Sequence, residues 1–173
     1  MSSDPDHELF ADGMAEDIIT ALSKISRMRV IARNSTFAYK GQAIDLRKVA
    51  SELGVHYVLE GSIRSGGKRL RITAQLIDAT DGSHVWAERY DRELHDIFAF
   101  QDEITEAITG AVAPSFAAAE TRRARAKAPE NLDSWDLVMR ANWHLWRMTR
   151  EDMTEARRLF EAAIKLDPDS YIA

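Results

Sequence analysis

The sequence lacks cysteine altogether, and it has only four prolines and no long apolar run among its 173 residues. Without cysteine the chain can form no disulfide, no thiolate nucleophile and no cysteine-ligated metal site. No stretch approaches the roughly 18 apolar residues that a membrane-spanning helix needs, and the acidic start at residues 2–6 is unlike a signal peptide. We therefore expect a soluble chain that does not insert into a membrane by itself.

An excess of basic charge is absent as well. The chain carries 23 lysines and arginines against 28 aspartates and glutamates, which gives a net charge of −5. A surface that binds phosphate backbones normally leaves a basic footprint, so we predict no nucleic-acid partner. The basic residues between positions 122 and 127 are interpreted as the solvated surface of a helix.

The clearest pattern that is present is a three-stranded stretch over residues 58–90. Leu70, Ile72, Ala74 and Leu76 recur with a period of two, which is typical of a strand with one buried face. Turn residues at 65–67 (SGG) and 81–82 (DG) separate this strand from its two sequence neighbours. The stretch predicts two consecutive antiparallel hairpins.

Two helices and one further strand are predicted before the hairpins. The helices cover about residues 8–26, where apolar residues step by three and four, and residues 46–53, between a capping Asp45 and a terminating Gly54. Residues 28–33 (MRVIAR) predict a short buried strand between these helices. This order implies right-handed crossovers with at least two parallel strands. The first helix has no strand before it, so we also expect a strand upstream of residue 1.

The expected fold class is α/β (mixed α+β), with a mixed parallel and antiparallel sheet, packed helices and a helical hairpin at the end. We predict an α/β domain at residues 1–113, a helical connector at 114–130 in which Pro114 kinks or restarts the helix, and a helical repeat at 131–173. The spacing of Ala156, Phe160, Ala163 and Pro168 matches the second half of a tetratricopeptide repeat. One repeat cannot bury its own apolar face, so we expect further repeats or docking on the sheet domain or on another chain.

No constellation of catalytic or metal-ligating residues emerges from the sequence. Residues 61–69 (GSIRSGGKR) resemble a phosphate-binding loop, but the segment is one residue too long, Arg69 replaces the magnesium-binding hydroxyl, and a strand follows it. The five histidines lack metal-ligand spacing, and the acidic residues between 88 and 96 are interpreted as ion pairs at a strand exit. We predict no catalytic residues, no metal site and no cofactor, and a protein that is not an enzyme.

Four segments, in order, resemble a known family. They are residues 10–19 (FADGMAEDII), 30–41 (VIARNSTFAYKG), 52–62 (ELGVHYVLEGS) and 75–91, which opens with QLID and closes with HVWAERYD. The chain resembles the TolB-amino-terminal-like (FlgO-like) α/β domain followed by tetratricopeptide repeats. That arrangement occurs in the C-terminal regions of bacterial class III adenylate or guanylate cyclases and in CadC-like transcriptional regulators. The resemblance implies a strand before the first helix and a cyclase catalytic domain upstream, so it assigns no cyclase activity to the residues present.

These observations favour a non-catalytic regulatory or protein-interaction module of a larger bacterial signalling protein. Two alternatives stay open: a domain that senses a small polar ligand, and, with much less support, nucleotide cyclase activity. Seven residues are proposed to form a ligand or partner surface, of which the first five would line a pocket: Arg33, Asn34, Tyr39, Arg64, Glu88, Trp143 and Trp146.

The expected partner is another protein or a second copy of the chain. If the upstream strand is missing from the sheet, one strand keeps unpaired backbone groups, which predicts dimerisation by strand addition. A cytoplasmic location is favoured, and a periplasmic one would require a membrane helix upstream.

Overall fold

The computed structural model describes residues 5–25, 28–67, 69–93 and 96–169, with side chains from residue 8 onward. The chain divides into two compact units, residues 1–113 and residues 114–173. In the first unit lie α1 (Pro5–Ser23), α2 (Arg33–Phe37), α3 (Leu46–Leu53), β1 (Tyr57–Gly66), β2 (Arg69–Asp78), β3 (Ser83–Glu93) and the first part of α4 (Ile97–Ala126). The second unit contains the rest of α4, a short 3-10 turn, α5 (Ser134–Leu145) and α6 (Arg150–Leu166). The predicted mixed α+β class is confirmed.

The sheet has the order β1-β2-β3, and both pairings are antiparallel. Ile63 of β1 lies opposite Ile72 of β2, which lies opposite Tyr90 of β3. Gly67 and Gly82 have positive φ angles of 63° and 80° in the two turns, a conformation that glycine adopts without steric cost. Both predicted hairpins are therefore confirmed.

One face of the sheet carries the core of the first unit. The four residues with period-two spacing in β2 are each at most 4% exposed, whereas their neighbours Arg69 and Arg71 are exposed. The helices supply further buried apolar side chains, and Phe10 of α1 stacks on Phe100 of α4 with ring centroids 5.8 Å apart. These buried helix residues are Phe10, Met14, Leu22, Val49, Ala50, Phe100, Ile104, Ile108 and Val112.

The predicted parallel strand at residues 28–33 is wrong. Residues 28–32 form no strand, and α2 begins at Arg33; the preceding residue, Ala32, has extended angles of φ −62° and ψ 147°. The apolar sequence favours extended backbone, but a strand also needs a neighbour that takes its backbone hydrogen bonds. Residues 28–32 take part in neither pairing of the sheet, which within the described residues is purely antiparallel rather than mixed.

The helix boundaries follow local capping chemistry. The side chain of Asp45 accepts a hydrogen bond from the backbone N–H of Arg47 at 3.0 Å, and Gly54 ends α3 in the left-handed conformation with φ 65°. The helix predicted for residues 46–53 is confirmed with both of its caps. The first predicted helix is also confirmed as α1, which ends at Ser23, whereas Ser26 lies outside the described residues.

The second unit has a core of its own. Its buried residues come from the end of α4, from α5 and from α6: Ala124, Leu137, Val138, Met139, Ala141, Leu159 and Ala163. Pro114 lies inside α4 and does not end it. The stretch expected to be a solvated connector is instead partly buried, since Ala119, Glu120 and Ala124 are each at most 7% exposed. The predicted C-terminal helical hairpin is present as α5 and α6.

Candidate functional site

Arg33 connects α2 to α1. Its guanidinium lies 3.8 Å from Asp12 Oδ2 and 3.8 Å from Glu16 Oε2, and it covers the Phe37 ring at 4.1 Å from the centroid. Lys40 forms a second ion pair with Asp12. Arg33 is thus occupied by structural contacts, whereas Asn34 beside it is exposed.

Tyr39 is held by α3. Its hydroxyl donates a hydrogen bond to Glu52 Oε2 at 2.7 Å. This bond, together with partial burial and the charge of Glu52, raises the pKa of Tyr39 above its usual value. Glu52 also lies 3.9 Å from Lys48 Nζ. The contact ties the loop after α2 to the surface of α3.

Arg64 and Glu88 lie on opposite faces of the sheet. Arg64 is opposite Arg71, on the exposed outer face, while Glu88 is opposite Ala74, whose side chain points into the core. Residues directly opposite each other in an antiparallel pair project to the same side. Arg64 and Glu88 therefore cannot line one pocket, and the structure does not bring the five predicted pocket residues together.

The outer face of the sheet carries a network of ion pairs centred on Asp91. Arg71 donates two hydrogen bonds to this carboxylate, at 2.6 Å and 3.3 Å, and Arg89 approaches it to 3.3 Å. The hydrogen bond from Arg71 is the main cause that lowers the pKa of Asp91. Arg69 pairs with Glu93 at 3.6 Å. In the described part of the chain Arg64 has no acidic partner, although it lies directly across from Arg71.

A shallow pocket of about 170 Å3 lies on the second unit, lined by Arg125, Arg140, Trp143 and His144. The Arg125 guanidinium stacks on Trp143 at 4.1 Å from the ring centroid, and Arg147 lies at 4.7 Å from the same centroid. Arg140 donates to the carbonyl oxygens of Ala124 and Lys127, at 3.0 Å and 2.5 Å, near the end of α4. Arg140 is therefore engaged with the backbone, while Arg125 and Trp143 face the pocket.

Asp152 holds His144, one of the residues that line this pocket. It accepts hydrogen bonds from the Thr149 hydroxyl at 2.7 Å and from Arg147 Nε at 3.0 Å, and it lies 2.7 Å from His144 Nδ1. The bonds from Thr149 and His144 are the largest causes that lower the pKa of Asp152 to about 2. Asp152 thus stays negatively charged and fixes His144 and Arg147 in place.

Of the two predicted tryptophans, only Trp143 lines the pocket. Trp146 is 80% exposed and stands beside the similarly exposed Met148 in the turn between α5 and α6. The sequence prediction missed Arg125, Arg140 and His144. The spacing of Arg140, Trp143 and His144 by three and four could have placed these three on one helix face, whereas Arg125 belongs to another helix.

Within the described residues no helix combines the length and the apolar content needed to cross a bilayer. Nowhere in that same part of the chain do three or more histidine, aspartate or glutamate side chains converge closely enough to hold a metal ion. Lys68, part of the segment compared above with a phosphate-binding loop, lies outside the described residues.

Comparison with known proteins gives a family match over most of the first unit. A family model described as HilA/YgeH-like transcriptional regulator, second domain, matches residues 3–107. The chain belongs to this family. The HilA/YgeH-like segment includes Arg33, Tyr39, Arg64 and Glu88, whereas Trp143 and the pocket beside it lie outside the matched residues.

One relative covers both units. It is a protein of Rhizobium meliloti (strain 1021) with the name "Putative adenylate cyclase 3", and it is 49% identical over 168 residues, which are 97% of this chain. The chain spans 29% of the length of that relative. The HilA/YgeH-like match supports the predicted regulatory class, and the TolB-like and tetratricopeptide assignments stay predictions.

Proposed function

We propose that the chain is a non-catalytic regulatory module that acts through protein–protein contact within a larger bacterial signalling protein. The observation that carries this proposal is the combination of matches. The family is described as a domain of transcriptional regulators, and nearly all of the chain aligns with 29% of a protein named as an adenylate cyclase. A segment that occurs both in transcriptional regulators and in a protein named as a cyclase is better explained by a shared regulatory role than by a shared catalytic activity.

The contacts of the first unit support this role. Arg33, Tyr39 and Arg71 are each bound to an acidic side chain of a neighbouring element, so these polar groups stabilise the domain. The outer face of the sheet remains exposed and charged, which suits contact with another protein surface. We infer that regulation passes through this surface.

The proposal is tested in the longer relative. We expect deletion of the matched segment to change the basal or signal-dependent activity of the full-length protein, while the chain alone converts neither ATP nor GTP to a cyclic nucleotide. Cyclic-nucleotide assays on the full-length protein, the deletion and the chain measure this. Cyclic nucleotide formed by the chain alone, or a deletion with unchanged activity and response, would contradict the proposal.

A second candidate function, sensing of a small ligand, is favoured by the Arg125–Trp143 pocket. A guanidinium stacked on an indole offers a flat apolar face and a positive charge together, which suits a small planar anion. A thermal-shift screen with ATP, GTP, cyclic AMP and benzoate tests this idea. We expect one of these probes to raise the melting temperature of the native chain and to have no effect on Arg125→Ala, while the exposed Arg122→Ala responds normally. A panel without any shift would rule out this candidate.

The finer family assignments are also proposals. We propose that α5 and α6 form a divergent tetratricopeptide repeat, because both helices bury small residues, Ala141 in α5 and Ala156 and Ala163 in α6. We propose likewise that the first unit is a TolB-amino-terminal-like domain, as its four sequence segments suggest. The cytoplasmic location stays a prediction.

A further inference from the structure

We infer that the outer edge of β1 pairs antiparallel with β1 of a second copy of this chain, so that two three-stranded sheets become one of six strands. This inference rests on the proposed protein-interaction function and names the partner. It is carried by the exposed edge of β1, by the charge pattern along that strand and by the unpaired Arg64.

In the part of the chain that the structure describes, the outer edge of β1 has no strand beside it. Within the described residues β1 pairs only with β2, and its residues from Glu60 to Ser62 and from Arg64 to Gly66 are exposed. Leu59 and Ile63, which lie on the core side, are only half-buried. A long edge strand with unpaired backbone groups is a ready template for another strand.

The opposite edge of the sheet is better protected. β3 carries five charged residues, and several are already held by neighbours: Asp91 by Arg71, Arg92 by Glu103 at 2.8 Å, and Glu93 by Arg69. β1 carries only two charged residues, Glu60 and Arg64. Charges on an edge strand oppose strand addition, so β1 is the edge that accepts a partner.

The sequence of β1 is complementary to itself. Glu60 and Arg64 both project to the outer face, two residues on either side of Ser62. In an antiparallel pair centred on Ser62, Glu60 of each copy lies opposite Arg64 of the other. Arg64 then gains the acidic partner it lacks in its own sheet, where the residue across from it is another arginine.

The same register fits the core face. It places Gly61 of one copy opposite Ile63 of the other, and Leu59 opposite Ser65. Gly61 has no side chain, so the isoleucine has room beside it. The two half-buried residues Leu59 and Ile63 would lose further exposed apolar surface, which favours association.

A cysteine cross-link tests the register directly, because the native chain contains no cysteine. Two residues at the symmetry centre have Cα atoms about 4.5–5.5 Å apart, within the range that a disulfide spans. We expect Ser62→Cys to form a disulfide-linked dimer under mild oxidation. Ser51→Cys, an exposed position on α3, serves as the control for random collision and is expected to stay monomeric on a non-reducing gel.

Charge reversal tests the ion pairs. We expect Arg64→Glu and Glu60→Arg each to weaken dimerisation at least about tenfold in sedimentation equilibrium, because each brings like charges together twice. The double variant restores opposite charges and is expected to dimerise like the native chain. Arg89→Glu, on the outer face of β3, is the matched control and leaves the dimer unchanged.

Several outcomes would overturn the inference. These are a native chain that is monomeric at every concentration, a dimer lost on Arg89→Glu but not on Arg64→Glu, and a double variant that is folded by circular dichroism yet monomeric. None of these results bears on the regulatory role, which the deletion in the longer relative tests separately. A monomeric chain whose removal still alters output would contradict the dimer alone.

Discussion

At the scale of single residues, several polar side chains are held by partners within the fold. Arg33 binds Asp12 and Glu16, Tyr39 binds Glu52, and Asp152 holds Thr149, His144 and Arg147. A side chain held in this way is less available to a ligand, although Arg33 Nε forms its ion pair with Glu16 without a hydrogen bond. Arg64, by contrast, has no acidic partner in the described part of the chain, and Arg125 stacks on Trp143 at the pocket. These two residues carry the two interaction proposals.

Asp152 predicts an acid-dependent loss of stability. Its pKa is lowered to about 2 from an ordinary value of 3.8, so its bonds stabilise the fold fully above about pH 4 and are lost as the pH falls toward 2. We expect Asp152→Asn to lower the urea midpoint at pH 7, and the difference from the native chain to shrink between pH 4 and pH 2. Asp169→Asn, an exposed aspartate, is the control and should match the native chain at every pH. A difference in urea midpoint that stays constant between pH 7 and pH 2 would contradict this prediction.

At the scale of helices and strands, local residue patterns and caps explain the element boundaries that were predicted correctly. Strand pairing explains the predicted strand that is absent. The period-two pattern of β2, the Asp45 cap and the Gly54 terminator are local signals, and each was predicted correctly from the sequence. The strand predicted at residues 28–33 failed because strand formation depends on a distant partner that local composition does not reveal.

The candidate site also combines a residue that was predicted from the sequence with one that only tertiary packing reveals. Trp143 was found from the sequence as a surface aromatic, but Arg125 was missed because only the packing of α4 on α5 brings it to Trp143. Arg64 and Glu88 are both among the five residues predicted to line one pocket. The hairpin registers place them on opposite faces of the sheet, and a change of one residue in register reverses the face.

Gly61 provides a test of packing between β1 and β2. A Cβ atom at this position would lie 2.8 Å from the carbonyl oxygen of Thr73, too close for the two strands to keep their spacing. We expect Gly61→Ala to lower the free energy of unfolding by about 1–3 kcal/mol. Gly66→Ala, in the same strand, meets no atom within 4 Å and should change it by less than about 0.5 kcal/mol. Urea denaturation of both variants measures this, and equal effects would contradict the close approach.

At the scale of the whole molecule, association and stability are linked. A partner that binds only the folded chain stabilises it by mass action, so a dimer makes the unfolding temperature depend on protein concentration. Each tenfold rise in protein concentration adds about 1.4 kcal/mol to the free energy of unfolding of the dimer. Pairing at β1 therefore predicts a melting temperature that rises with protein concentration, which can be measured without a cross-link.

We expect the melting temperature of the native chain to rise steadily over a hundredfold range of concentration, measured by circular dichroism in cells of different path length. Arg64→Glu should show a comparable rise only at concentrations at least about tenfold higher, because its dimer is weaker by that factor. Arg89→Glu should follow the native chain, since β3 takes no part in the contact. A native melting temperature that is independent of concentration, or an Arg64→Glu variant that still shows the native rise, would mean that the edge of β1 does not hold a second copy.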